Sequence, residues 1–519
     1  MRTRPAGHTQ RDQVTGEKLF LFLREKVWNR PVKRKAKAKH VAKKPAPKRL
    51  QANGSGGGEE DASSAESDDE DSNVDEEAAG KDTAEKGVVK TIGWTSLKAY
   101  ASAIIDPYTQ QANARVNAAP HPRSAAVKQL IETARKQQQG KDRREYKDRA
   151  HGTHLDGYDR DEMRKLSAYF FERDTEIGMR DRAALFLCHF ALLRGDNCRA
   201  LEFPDLHHLE LRDEGFTPCF AVVLILRQGK TNKFGHLEFG SFIRAADVEL
   251  CPVGALALYL FSRFQLSREP FPDFSSSSAW YDRKVIKSPS SLVAQLEYRT
   301  HSSAVKQAFK ACNIVSTAAT HSSRKSGAQM AEADGAPEAA VRRAGRWNQQ
   351  TMESCFLSKI PRQVLRAHAG FSTEGGTFHL PRAQQVPEAL LDLVFPQAKD
   401  WLRQLEAGKQ DNNGPVDKSI AARGFLRLLL QLREVVCQDA VALRQKFPSS
   451  YLWNAAVFAS PQLLAFEKSF LQTLQTQERP AEQQLRVALP LLADKITNSH
   501  NSLLQMVQEQ SATLRDQLR

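Results

Sequence analysis

The chain has 519 residues, with 75 Lys and Arg against 61 Asp and Glu, a net charge of +14 and a pI near 9.4. That length exceeds what one hydrophobic core organises and calls for roughly two to four domains, while the positive excess favours an acidic polymer as partner. No apolar run approaches the roughly 20 residues of a membrane span, and the opening MRTRPAGHTQRDQ has no apolar signal core. The seven cysteines contain no C-x-x-C pair, so we expect reduced thiols in an intracellular protein, with no metal and no cofactor.

Residues 14–30, VTGEKLFLFLREKVWNR, predict a short amphipathic helix. Thr15 is its N-cap, and Leu19, Phe20, Leu23 and Val27 form its apolar face. Nine Lys and Arg then fall between Lys33 and Arg49. Such a cluster reads as a nuclear-import signal or a nucleic-acid arm, against the plainer reading of a solvated basic linker. Residues 1–50 thus make an N-terminal helix and basic arm. Residues 51–87 are Gly/Ser-rich and then acidic; with too little apolar surface to fold, they are expected to be a disordered linker.

Order is expected from about Val88. One helix is predicted to start after Thr95, with Leu97, Tyr100, Ile104 and Ile105 on one face, and a second covers SAAVKQLIETARKQQQ. Lys98, Arg123 and Lys128 make residues 88–150 a candidate for contact with a duplex backbone, because Lys and Arg supply affinity that is independent of sequence. Surface cations of this kind are also often simply solvated.

Residues 157–371 form the next unit. DRDEMRKLSAYFFE and GMRDRAALFLCHFALLRGDN predict two helices, the second apolar through its middle and therefore buried. It leads into Arg199-Ala200-Leu201-Glu202. CFAVVLILRQGKTNKFGHLEFGSFI predicts a β-hairpin whose turn carries Lys230 and Lys233. CPVGALALYLFSRF is a buried helix with Pro252 in its first turn. Residues 268–292 read as a loop, and SSAVKQAFKACN as a short helix. Between Thr320 and Pro361 the chain carries His321-x-x-Arg324, a run of small and basic residues, Gly345-Arg346-Trp347, and a second helix-like run reaching Phe356, nine residues after Trp347.

Beyond Phe371 the amphipathic segments predict a separate C-terminal helical domain over 380–475. The tail, 481–519, places Leu485, Leu489, Leu492, Ile496 and Leu503 near heptad spacing, with Pro490 interrupting. It is expected either to form a short coiled coil in a homodimer or higher oligomer, or to pack on its own domain.

The order Arg, hairpin Lys, His-x-x-Arg, Gly-x-Trp, aromatic resembles the catalytic motif of tyrosine recombinases. LLRGDNCRALEFPDL, GKTNKFGHLEFG, LCPVGALALYLF and GRWNQQTMESCFLSKIP narrow the resemblance to the crypton branch and the related fungal centromere-DNA-binding protein of the inner kinetochore. It covers roughly residues 14–470 apart from the acidic insert. It implies a mainly α (α+β) fold: a helical N-terminal core-binding domain, a recombinase-like catalytic domain with a small β-hairpin or sheet, and a C-terminal helical domain. Family positions fall on Arg199, Lys230 (Lys233 as runner-up), His321, Arg324, Trp347 and Phe356. The resemblance also implies that Arg199, Lys230, Lys233 and Arg324 contact the phosphates of double-stranded DNA in the nucleus, away from any membrane.

Phe356 stands where the family has its nucleophilic Tyr. Phe keeps the ring but has no oxygen to attack phosphorus. Its neighbours Ser354 and Cys355 are turned about 100–200° away on a helix, and a second copy of the chain would bring the same Phe. The expected function is therefore DNA binding without strand cleavage. The alternatives are an active recombinase or transposase (DNA integration) with an unrecognised nucleophile, or a DNA-associated assembly scaffold.

Deleting residues 31–50 is expected to reduce nuclear accumulation of a fluorescently tagged chain; undiminished nuclear signal would assign that cluster some other role.

Overall fold

The computed structural model describes residues 13–28, 30, 91–227, 237–347, 360–407, 410–411, 414–415, 419–477, 492 and 495–510. The chain divides into two compact units, Met1–His151 and Gly152–Arg519.

The first unit is a small helical cluster. Helix α1, Gly16–Leu21, begins at Thr15, whose hydroxyl accepts from Lys18 N at 3.3 Å, and continues into a π-helical turn, Phe22–Val27. Leu19, Leu23 and Val27 are buried as expected, while Phe20 is half-buried. Helix α2, Trp94–Asn113, starts one residue before Thr95, because Gly93 supplies the extended N-cap. It buries Leu97 and Ala101, whereas Tyr100 lies at the surface and Ile104 is half-buried. Helix α3, Ala125–Arg144, is capped by the Ser124 hydroxyl and closes the core with Val127, Leu130 and Ala134.

The second unit is built around two apolar helices. Helix α4, Arg160–Glu172, opens with an Asp159–Glu162 capping box. Helix α5, Glu176–Phe190, is buried on all sides from Gly178 onward, and a short α6, Gly195–Ala200, follows. The expected hairpin is β2 (Cys219–Leu226) and β3 (Glu238–Ile243), antiparallel, with Leu224 opposite Gly240. A strand that was not expected, β1 (Leu206–Leu211), extends it to a three-stranded sheet in the order β1-β2-β3. The turn carrying Lys230 and Lys233 lies outside the described residues. Helix α7, Pro252–Phe261, has Pro252 at its start and is wholly buried.

Residues 268–292 are not a plain surface loop. They contain a 3-10 turn at Ser277–Ala279 and a small ribbon of β4 (Lys287–Ser288) with β5 (Ser291–Gln295), and they bury Phe274, Trp280, Val285 and Ile286. The Trp280 and Phe425 rings stack with centroids 6.0 Å apart, so aromatic burial overrides the Ser/Pro-rich composition. Helices α8 (Tyr298–Ala311), α9 (Ala319–Ala333), α10 (Glu338–Gly345) and α11 (Arg362–Ala369) follow.

The largest departure from expectation concerns residues 380–475, which do not form a core of their own. Helix α12 (Glu388–Leu391) ends at Asp392, and left-handed Phe395 immediately precedes α13 (Pro396–Ala407); α14 (Ile420–Lys446) and α15 (Pro461–Gln477) follow. Helix α14 lies against β1 and α7, and its apolar residues belong to the same hydrophobic cluster as α5, α7 and the sheet. Phe425 stacks on Phe203 at 4.8 Å, and Phe447 on Phe171 at 4.5 Å. Apolar patterning shows that a helix has a buried face but not which neighbour covers it.

A buried charge cluster fixes this packing. Asp439 on α14 is fully buried and accepts from Arg244, just past β3, at 2.5 Å and from Arg382 at 2.8 Å. Arg244 also donates to Gln438 Oε1, and Arg382 to the carbonyls of Ala245 and Ala246. Burial alone would raise the Asp439 pKa, but the two guanidinium groups outweigh it and hold the carboxyl below its ordinary range.

Residues 495–510 are helical and exposed throughout, including Ile496, Leu503, Met506 and Val507. Leu485 and Leu489 of the expected heptad lie outside the described residues. Among those described, no helix is long and apolar enough to cross a membrane.

Asp439→Ala leaves two buried guanidinium groups without a counter-ion and is expected to cost about 3–5 kcal/mol in urea unfolding. The carboxylate's contribution is complete above the ordinary aspartate value near ~3.9. It is lost as pH falls through the lower folded value, so the wild-type advantage over the variant should shrink in acid.

Candidate nucleic-acid interface

Helix α5 ends because Leu192 turns left-handed (φ 47°); the amides of Ala191, Leu192 and Leu193 close back onto the last-turn carbonyls, and the carbonyls of Ala191 and Leu192 just beyond are left for side-chain donors. Arginine side chains supply those donors. Arg324, in the second turn of α9, is buried and donates to Leu192 O at 3.0 Å and to Gly345 O, with its guanidinium 4.7 Å from the centre of the Trp347 ring. Arg346 is itself left-handed (φ 59°) and caps α10. Its side chain donates to Ala191 O at 3.3 Å, Leu192 O at 2.5 Å and Phe239 O at 3.1 Å. Burial pushes the Arg346 pKa down to about 10, Glu238 offsetting part of that, so it stays charged at neutral pH.

Gly345 permits this geometry. A methyl group there would fall 2.2 Å from the Trp347 indole, so only glycine lets the ring fold back against α10 and under Arg324. This gives a steric reason for a Gly two residues before the Trp.

Arg199, on α6, is the third arginine at the corner. It is buried, pairs with the Asp196 carboxylate, lies 3.4 Å from His301 Nδ1 and sits over the Tyr298 ring at 5.3 Å. Burial first, and then the positive charges of Arg199 and Arg180, push the His301 pKa down to about 3. The imidazole is therefore neutral at pH 7 and can offer Arg199 a lone pair. A methyl on Gly195 would lie 3.0 Å from Arg199 Nη1 and 3.4 Å from Thr320 Cβ. That places Arg199 beside the first turn of α9, the turn that carries half-buried His321.

The structure thus brings Arg199, His321, Arg324 and Trp347 to one corner. Lys230, Lys233 and Phe356 lie outside the described residues. In the first unit Lys128 is exposed, Lys98 is half-buried, and Arg123 is half-buried with a bond to the Ser102 hydroxyl at 3.0 Å. Arg199 does not pair with Glu202; Glu202 accepts instead from Lys284, and Asp205 caps the Glu202 amide. Arg346, His301, Tyr298 and Asp196 escaped the reading of the sequence. For Arg346 the signal was present, since it lies inside the Gly-Arg-Trp triplet whose flanking residues were read. Among the described residues no trio of His, Cys, Asp or Glu is gathered to hold a metal ion.

Residues 111–463 match the family model of the centromere DNA-binding protein complex CBF3 subunit, domain 2. The chain belongs to this family. The corner lies within the matched span. No curated protein matches the chain in sequence. Among solved structures, the budding-yeast inner-kinetochore platform Ndc10 aligns at 12% identity over 61% of this chain and 71% of that one, with a TM-score of 0.34. A Flpe mutant in complex with a DNA Holliday junction aligns at 10% identity over 69% and 80%, with a TM-score of 0.34. The FLP recombinase–Holliday junction complex aligns at 11% identity over 66% and 80%, with a TM-score of 0.30.

The buried Arg324 is a structural donor as well as a candidate phosphate contact. Arg324→Ala leaves Gly345 O without its side-chain donor and takes one of two arginine donors from Leu192 O, charge-assisted bonds each worth about 1.5–3 kcal/mol. We expect a loss of about 3–5 kcal/mol in urea unfolding, and little rescue by Arg324→Lys, whose single ammonium cannot reproduce the planar fork.

Proposed function

We propose that this chain is a nuclear DNA-binding protein on a crypton-type tyrosine recombinase frame that grips duplex DNA without cutting it. The observation that carries the reading is the pairing of a gathered arginine corner with Phe, not Tyr, at position 356. Two guanidinium groups and a neighbouring His suit a phosphodiester, because the guanidinium fork matches two phosphate oxygens. Phosphoryl transfer also needs an attacking oxygen, and a phenyl ring supplies none. In this reading Lys230, with Lys233 as runner-up, is a further phosphate contact by its place in the motif, and Lys98, Arg123 and Lys128 of the first unit are separate candidates for backbone contact.

DNA as the partner is supported by the family match and by the +14 net charge. Nuclear residence is supported by the centromere family and by the cluster between Lys33 and Arg49. An active enzyme with a displaced nucleophile finds little support near α9. Tyr158 is fully buried there, its hydroxyl engages His189 Nδ1 at 3.0 Å, and burial pushes its pKa up, away from the phenolate an attack requires.

Incubated with a nicked suicide duplex, wild type should form no covalent protein–DNA adduct on a denaturing gel, and Phe356→Tyr should form some. Adduct from the wild type would overturn the non-cutting reading. Duplex affinity should also fall steeply and linearly on a log–log plot against salt as counterions are released; a flat response would remove phosphate contact as the basis of binding.

A further inference from the structure

The Arg199–Asp196 pair is lopsided. The arginine side chain is 6% exposed and its carboxylate partner 72% exposed. Arg199 is held by buried His301 Nδ1 and by the face of the exposed Tyr298 ring, and the partner it meets at the solvent boundary is the exposed Asp196 carboxylate. Gly195 brings the guanidinium close against the main chain, leaving it little room to turn elsewhere. Asp196 itself sits in the first turn of α6, and among the described residues it has no second cationic partner. A carboxylate and a phosphate diester approach a guanidinium fork in the same way, each with two oxygens on parallel N–H groups.

We propose that Asp196 is a built-in competitor for Arg199, occupying the guanidinium face that a DNA phosphate takes and swinging into solvent when duplex binds. The inference rests on the reading of Arg199 as a phosphate contact and adds what sets the strength and selectivity of that contact. In the free protein the pair keeps a buried cation neutralised, which avoids leaving it without a counter-ion. The carboxylate half of the pair is solvated, so releasing Asp196 costs little provided another anion takes its place on the buried guanidinium. A lone small anion gains one contact and must displace Asp196 to get it. Duplex gains many contacts at once and absorbs that cost. Asp196 therefore biases the corner against free phosphate and in favour of the polymer.

The test uses the full chain and a fluorescein-labelled duplex of mixed sequence, with anisotropy read across a salt series. Asp196→Asn should tighten binding about two- to fivefold, the range expected from removing a competing solvated carboxylate. It should also let inorganic phosphate compete at lower concentration than with wild type. Asp196→Ser should behave alike, which covers a folding defect peculiar to Asn. Arg199→Met, which keeps the aliphatic stem, should weaken binding, and adding Asp196→Asn to it should change nothing further. Glu297→Gln, the exposed residue preceding Tyr298, is the control for charge alone and should have a smaller effect.

If Arg199→Met weakens binding while both Asp196 variants leave it unchanged, the competitor role is overturned and the phosphate contact stands. Equal tightening by Glu297→Gln, or tightening that persists without Arg199, overturns it as a general charge effect. If Arg199→Met folds and binds as wild type, the reading of Arg199 as a phosphate contact fails first.

Discussion

The second unit depends on one carboxylate. Asp439 sits between Arg244 and Arg382 with no exposure to solvent, and the three residues come from a long helix, the end of a strand and an irregular segment. Removing charges from water costs several kcal/mol per ion, so such a cluster adds little net stability over an apolar substitute. It acts as a register pin: α14 can slide or rotate only by separating charges in a medium that cannot solvate them. The backbone is shaped around the pin, since a methyl on Gly254 would lie 2.2 Å from the Asp439 carboxylate. Pinning Arg244 fixes the exit of β3. Strand β3 in turn offers the Phe239 carbonyl to Arg346, and Arg346 reaches the end of α5.

The functional corner is therefore the far end of a chain of placements that begins in the C-terminal helices. Its own chemistry is simple. A helix that stops in the interior leaves carbonyls needing donors, and guanidinium groups have more donors than any other side chain. Arginines that a phosphate also wants are thus held in place by main-chain oxygen and aromatic faces. Phosphate binding then requires little side-chain ordering, because the ordering is already complete in the folded chain.

Much of this was legible in the sequence, and the parts that were not have physical causes. Helices α5 and α7 announce themselves because an apolar run of that length has nowhere to go but the interior. The β2–β3 pair follows from two β-branched and aromatic runs around a Gly/Asn turn. Strand β1 was missed because LHHLEL puts two histidines and a glutamate into a short run, and its pairing with β2 rather than its composition makes it a strand. The separate C-terminal domain was a wrong expectation for a different reason, since periodicity identifies an apolar face without naming its partner. At the corner, motif spacing located Arg199, His321, Arg324 and Trp347. It could not show that the guanidinium of Arg324 already serves two carbonyls, nor that Arg346 and His301 stand beside the motif residues, because all of those contacts but the one to Gly345 join segments more than a hundred residues apart.

The Leu192 carbonyl receives both Arg324 and Arg346. Two donors on one oxygen make α9, α10 and the α5–α6 turn parties to a single contact, so none of them loosens alone. Local opening there should be all-or-none, with the main-chain amides of the three segments exchanging with solvent as one cooperative block and not as a graded series of fraying ends.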